Sequence, residues 1–303
     1  MSGFVQQQHT ICNFSNEESW VILSPIEQSI KRKIESVGTP LKDWDIKIYR
    51  GVLTGYNDAF IISTEKRDEI LSNCQTEDER LRTAELIRPI LRGRDIKRYG
   101  YNWADLWLIA TFPSRHYDIE DYPAVKNHLL LYGKERLEQT GKKYIINEEE
   151  IKARKKTSNK WFETQDSISY WEDFNKPKIV WKRVGSILRF CYNNNGALGL
   201  DSTCFATGNN IEFICCVLNS PMGHYLLKDA PKTGTGDLLI SVQAVEPIKV
   251  PIITKEQNSI FEEALKELIH YNSTEKEKEI SHKVFDLYNL SHEEQKYIES
   301  NFT

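Results

Sequence analysis

The alternation of apolar and polar positions changes period several times along this chain. Ser24-Pro25-Ile26-Glu27 opens a helix: Ser24 can cap it, Pro25 suits the first helical position, and Glu27 completes a capping box. Gly38 ends that helix after about 13 residues. Ile46-Lys47-Ile48-Tyr49 alternates with period two, and Ala59 to Ile62 is a short apolar run, so both read as strands. Between them Arg50 to Asn57 is a turn-forming segment with glycines at 51 and 55. Leu106 to Phe112 reads as a buried strand. Pro123 opens a helix with Val125, Leu129, Tyr132 and Leu137 near one face. Lys178 to Trp181 and Ile187 to Cys191 read as a hairpin turning at Val184-Gly185-Ser186. Ile211 to Leu218 and Met222 to Leu227 read as two short helices interrupted at Pro221.

Two amphipathic helices follow. Asn258 to His270 aligns Phe261, Leu265, Leu268 and Ile269, and Lys276 to Tyr288 aligns Ile280, Val284, Leu287 and Tyr288. Ser291-His292-Glu293-Glu294 is a second capping box before a last short helix. The order of helix, mixed body and helical tail predicts an α+β fold. We divide the chain into a connector or arm at 1–24, a mixed strand and helix domain at 25–255, and a C-terminal helical segment at 256–303.

Composition bounds the function. The chain has 303 residues, 40% hydrophobic and 28% charged, which is ordinary for a soluble globular protein. No apolar run approaches the roughly 18 residues of a membrane span. Residues 1–16 are polar, with no apolar signal segment, so the expected location is cytoplasmic. None of the six cysteines forms a C-x-x-C pair, which speaks against a zinc site. Cys215 and Cys216 lie in an apolar run and read as buried thiols.

The formal net charge of -4 does not advertise a nucleic-acid binder, but the charges segregate. Acidic residues gather at Glu148 to Glu150 and near the C-terminus. Basic residues gather in 88–98, 152–160 and 176–189. Arg92, Arg94, Lys97 and Arg98 fall within seven residues around Gly93, and arginine pairs bidentately with phosphate or with a guanine edge. Arg154, Lys155, Lys156, Asn159, Lys160 and Trp161 form a denser run suited to phosphate contact and anchoring. Lys182 and Arg183 end a strand. Lys232 and Thr233 precede a Gly-Thr-Gly turn whose amides suit a phosphate, although the Lys-Ser/Thr ending of a phosphate loop is missing.

Several chemistries lack their residues. No Pro-Pro dipeptide occurs, and Asn219-Ser220-Pro221-Met222 lacks the second proline and the aromatic of an amino-methyltransferase motif. Glu150-Ile151-Lys152 has the terminal spacing of a metal-dependent nuclease site, without a preceding Pro-Asp. His116, His128 and His224 are scattered and read as structural or exposed. No Gly-x-Ser-x-Gly or His-Glu-x-x-His motif occurs. No catalytic or metal-binding residue is assigned.

The segments Arg50 to Phe60, Ile90 to Ile96, Trp161-Phe162-Glu163, Lys178 to Trp181, Leu200 to Phe205 and Leu218-Asn219-Ser220 resemble the TaqI-like C-terminal specificity domain of type IIG restriction-modification enzymes. That domain is related to the recognition domains of type I specificity subunits. The likeness runs from about residue 35 to 255, and residues 285–294 resemble the helical ending of the same enzymes. The resemblance implies sequence-specific recognition of double-stranded DNA beside a methyltransferase domain or subunit, which flips and methylates an adenine. It implies no enzyme activity for this chain alone and no cofactor in it. S-adenosylmethionine and Mg2+ belong to the catalytic domains of the complete enzyme. The resemblance implies that the family's Arg-Gly-x-x-Thr-Gly stretch shapes the fold as much as it touches DNA, and it carries over to Arg50, Thr54 and Tyr56. Two other readings stay open: a divergent nuclease using Glu150 and Lys152, and a helical scaffold that joins methyltransferase subunits.

Overall fold

A computed structural model describes residues 23–271 and 273–302. The expected arm at 1–24, with Gln6-Gln7-Gln8 and Cys12, lies almost wholly outside them. The first helix, α1 (Pro25–Val37), has the capping box in place: Ser24 Oγ accepts from the Glu27 N–H, and Glu27 Oε2 accepts from the Ser24 N–H at 2.9 Å. Strands β1 (Gly38–Pro40), β2 (Ile46–Arg50) and β3 (Ile61–Ser63) follow. Then come α2 (Thr64–Ser72) and α3 (Glu77–Leu86), which carry little amphipathic pattern and start on the side-chain caps Ser63 and Thr76.

Next are β4 (Ile87–Leu91), β5 (Leu106–Ile109), α4 (Pro123–Leu130), and the hairpin of β6 (Lys143–Ile146) and β7 (Glu149–Lys152). The helix expected to reach Leu137 stops at Leu130. The chain turns at Gly133, and Lys134–Leu137 forms a separate single turn. The rest comprises β8 (Lys178–Lys182), β9 (Val184–Gly185), β10 (Phe190–Asn193), β11 (Leu198–Gly199), β12 (Thr203–Gly208), α5 (Ile211–Asn219), α6 (Pro221–Leu226), β13 (Leu238–Leu239), β14 (Lys249–Pro251), α7 (Lys255–Tyr271), α8 (Thr274–Leu287) and α9 (His292–Asn301). The fold is α+β with a helical C-terminal stretch.

The central sheet is antiparallel in the order β10-β8-β12-β2. It is buried on both faces, and period two divides its side chains between two cores. Ile48, Ile179, Trp181, Phe190, Cys204 and Ala206 face the core built by α1 and α5 to α9. Tyr49, Val180, Cys191 and Phe205 face the core of the second sheet, ordered β11-β4-β5-β3. The C-terminal helices are part of the first core: Phe261, Leu265, Ile280, Phe285 and Tyr288 are buried in it with Trp181 and Ile30. Cys215 and Cys216 are buried there too, and burial pushes both thiols up from their usual range.

The expected hairpin around Val184-Gly185-Ser186 takes another form. β8 and β10 do pair, with Trp181 opposite Phe190, but Val184–Gly185 leaves that pair as β9 and binds β13 across Gly185–Leu238. The sheet therefore sends a small two-stranded ribbon out from the end of β8.

Candidate nucleic-acid interface

Two close backbone approaches shape the basic end of the central sheet. Where β2 ends at Arg50, Gly51 runs against the loop before β12. A Cβ on Gly51 would lie 2.1 Å from the Leu200 carbonyl and 2.6 Å from that of Gly199, so glycine is required. The contact is sealed by Gly51 N–H to the Thr203 carbonyl at 3.0 Å and Val52 N–H to the Gly199 carbonyl at 2.7 Å. Arg50 then stands beside Asp201, 3.7 Å away.

The second approach is the turn after β4. A Cβ on Gly93 would meet Lys182 Cγ at 2.8 Å, and the Gly93 N–H donates to Ser202 Oγ at 3.1 Å. Arg183, one residue past β8, donates its N–H to the Ser202 carbonyl at 2.9 Å. The ends of β2 and β8, the β4 turn and the loop entering β12 thus meet. Arg50, the Arg92–Arg94 turn, Lys182 and Arg183 were far apart in sequence, and the fold brings them together.

Within this group the cations have different roles. Arg92 grips buried Asp95 with Nη2 at 2.8 Å and Nε at 3.0 Å, which fixes the turn and raises the guanidinium pKa. Arg94, next along, is exposed and has no ion pair among the described residues. Lys97 is half-buried. Arg98 turns inward, donating to the Asn219 carbonyl at 2.8 Å and lying 3.3 Å from Glu277 on α8. It ties the turn to the C-terminal helices.

The run at 152–161 folds as a tight loop around one buried cation. Arg154 is only 4% exposed. It donates to the carbonyls of Leu137 (2.8 Å), Thr54 (2.7 Å), Glu163 (2.8 Å) and Trp161 (2.7 Å). Burial pulls its pKa down to about 10, which leaves it charged at neutral pH. This corrects the expected role of Arg154: its donors are committed to the backbone. Thr54 is corrected in the same way. It is fully buried, with its hydroxyl donating to Asn57 Oδ1 at 2.7 Å and accepting from the Tyr56 N–H. Asn159 also serves the loop, donating through Nδ2 to the carbonyls of Thr164 and Gln165.

Held in this way, the loop presents Lys155, Lys156 and Lys160 to solvent. Trp161 packs edge-on against Phe162, with Lys134 Nζ 6.0 Å from its ring. Tyr56 lies edge-on to Tyr132, with the Arg136 guanidinium 5.6 Å from its ring centre. Sequence reasoning missed Lys134 and Arg136, which lie in no marked motif, and gave Ser202 no role although it lies in the marked Leu200 to Phe205 segment. The Arg50–Tyr56 segment links this loop to the sheet end, since Gln165 N–H donates to the Leu53 carbonyl at 3.1 Å.

Lys232 and Thr233 lie in the tight turn that leads into β13, where Lys232 bridges to Leu238. Thr233 N–H donates to the Asp237 carbonyl at 2.8 Å, and the Thr233 and Thr235 hydroxyls are 2.8 Å apart. The ribbon leads back to Arg183, whose carbonyl accepts from the Ile240 N–H at 2.8 Å. Lys232 is exposed. Elsewhere, Glu150 is exposed on β7 and paired with Lys143 at 2.9 Å. Among the described residues no three His, Cys, Asp or Glu side chains are grouped as metal ligands. Buried His128 bonds the Ala59 carbonyl through Nε2, and half-buried His224 bonds that of Phe302 through Nδ1, while His116 is exposed. Asn219 is buried and brackets the β10 backbone, accepting from the Phe190 N–H and donating to the Phe190 carbonyl. No helix among the described residues is long and apolar enough to cross a membrane.

The type IIL restriction-modification enzyme MmeI, solved in complex with DNA, is similar to this chain at 11% identity and a TM-score of 0.54, over 87% of this chain and 37% of its own. The type IIG restriction endonuclease BpuSI is similar at 12% identity and a TM-score of 0.48, over 87% of this chain and 32% of its own. The likeness to MmeI is one of fold, and the chain spans about 37% of that enzyme's length. No curated protein sequence matches the chain. The model of the TaqI-like C-terminal specificity domain matches residues 88–242, just over half of the 303 residues, and takes in the Gly93 turn, the 152–161 loop, Lys182, Arg183 and Lys232. The chain belongs to the TaqI-like C-terminal specificity domain family.

Proposed function

We propose that this chain recognises a specific sequence in double-stranded DNA as the specificity part of a restriction-modification enzyme whose catalysis resides in other domains or subunits. The observation that carries this reading is the meeting of Arg50, Arg94, Lys182 and Arg183 at one end of the central sheet, three of them inside the matched family segment. Lys155, Lys156, Lys160, Lys182 and Lys232 serve as phosphate contacts that set position on the duplex. In this reading Arg94, Arg183 and Tyr56 would supply the contacts to base edges. Beside this chain, a methyltransferase would bring S-adenosylmethionine, and a nuclease would bring Mg2+.

The test is binding to labelled duplex by fluorescence anisotropy over a salt series. Affinity should fall steeply with salt, because each neutralised phosphate contributes a slope of about -0.9 in log K against log salt. Weak binding that does not change with salt would end this reading. A second role for the C-terminal helices, joining a methyltransferase subunit, draws on the exposed Ile260, Ile269 and Tyr271 of α7. Because α7 to α9 share the central core, truncation would unfold the protein. Ile269→Asp with Tyr271→Ser is the proper test, and undiminished association with the methyltransferase would contradict the role.

A further inference from the structure

A second cationic feature lies on the other sheet, where the chain enters β4 rather than where it leaves. A cavity of about 500 Å3 is lined there by Arg82, Arg88, Arg115, Tyr117, Tyr122 and Trp171. That volume falls within the range of small-ligand sites. The three arginines come from α3, β4 and the turn after β5, and Glu85 is the one carboxylate side chain in the wall.

None of the three has a carboxylate partner among the described residues. Arg82 donates to the Asp121 carbonyl at 3.2 Å. Arg88 uses a single nitrogen, Nη2, for Asn175 Oδ1 at 2.7 Å and the Gly196 carbonyl at 2.9 Å. Arg115 lies over the Trp171 ring at 3.9 Å and 5.7 Å from that of Tyr117. Stacking engages the face of a guanidinium and leaves its in-plane N–H edge for an anion. Burial lowers the Arg88 pKa, the sign of a desolvated cation without a counter-charge. Tyr117 and Tyr122 meet edge-on at 5.7 Å and complete an aromatic wall beside the arginines.

Cations able to hold a phosphate, beside rings able to hold a flat heterocycle, define one ligand chemistry. We propose that this cavity binds a nucleotide, with its phosphates on Arg82, Arg88 and Arg115 and its base against the aromatic wall. The nucleotide is either free or one unit of an unpaired strand. The site is separate from the basic end of the central sheet, so it stands even if duplex recognition there fails.

The experiment is isothermal titration of the whole chain with ADP, with adenosine and inorganic pyrophosphate as component controls. Saturable one-to-one ADP binding, stronger than either component, is expected. In Arg82→Gln and Arg115→Gln, both exposed side chains, it should weaken roughly tenfold each, the size of one charge-assisted hydrogen bond. Competition by a single-stranded oligonucleotide supports the strand as the source, and its failure supports a free nucleotide. Three results would overturn the proposal: no saturable ADP binding, affinity unchanged in both variants, or pyrophosphate binding as tightly as ADP.

Discussion

Replacing Arg154 by methionine keeps the length of the side chain and removes every donor. Four backbone carbonyls, of Leu137, Thr54, Glu163 and Trp161, then lose a partner they now hold at 2.7–2.8 Å. A buried polar group left unpaired costs about 1–3 kcal/mol, and water entering the loosened loop offsets part of that. The net loss should be about 3–5 kcal/mol, in the range of the most disruptive single substitutions. At about 2 °C per kcal/mol for a chain of this size, the melting temperature should fall by roughly 6–10 °C. Thermal melts by circular dichroism read that shift directly. Anisotropy at low temperature, where the variant is still folded, reads its DNA binding. If Arg154 acted as an outward phosphate contact, the result would be reversed: an unchanged melting temperature and a salt slope smaller by about 1. That pair of results would refute the structural role assigned here.

Three further outcomes are expected. Arg94→Ala and Lys182→Ala should each weaken duplex binding with little change in melting temperature, and a salt slope reduced by about 1 would identify a phosphate contact rather than a base contact. Gly51→Ala drives a Cβ to 2.1 Å from the Leu200 carbonyl, so chemical denaturation should show a loss above roughly 3 kcal/mol, and a loss below 1 would contradict the close approach. Lys178 is fully buried and hydrogen-bonded to Asn193 Oδ1 and the Phe174 carbonyl, and burial pulls its pKa from 10.5 down to about 7. Between pH 7 and 10.5 the unfolded chain holds a proton the native state has released, so this group makes stability rise with pH, by at most about 1.4 kcal/mol per unit. The stability of the parent minus that of Lys178→Met should grow across this window, and parallel curves would count against the assignment.

What the sequence revealed followed from how local each signal is. The capping boxes at Ser24–Glu27 and Ser291–Glu294 formed as read, because both partners lie within one turn. The period-two pattern of Ile46 to Ile48 placed β2 because Ile46 and Ile48 share the face packed on the first core, while Lys47 between them is exposed on the other. Helices α2 and α3 went unread because their faces are largely polar, and only the caps at Ser63 and Thr76 marked them. Strand β4 was hidden by Pro89. The roles of individual cations were the least legible. Arg154 sits in a basic run that reads as a solvated loop, yet one of the carbonyls that bury it belongs to Thr54, 100 positions away. Arg98 meets Glu277 only after the C-terminal helices fold back. Adjacent residues in such runs diverge, so that Arg92 shapes a turn while Arg94 faces solvent.

Sequence recognition itself is tested most directly by selection from a random duplex library. The chain is incubated with the pool at moderate salt, and bound duplexes are recovered, amplified and sequenced over successive rounds. The structure and family together lead us to expect one recurrent motif, whose enrichment Arg94→Ala or Arg183→Ala weakens at defined positions. A pool that binds the folded chain yet remains random after repeated rounds would contradict sequence-specific recognition.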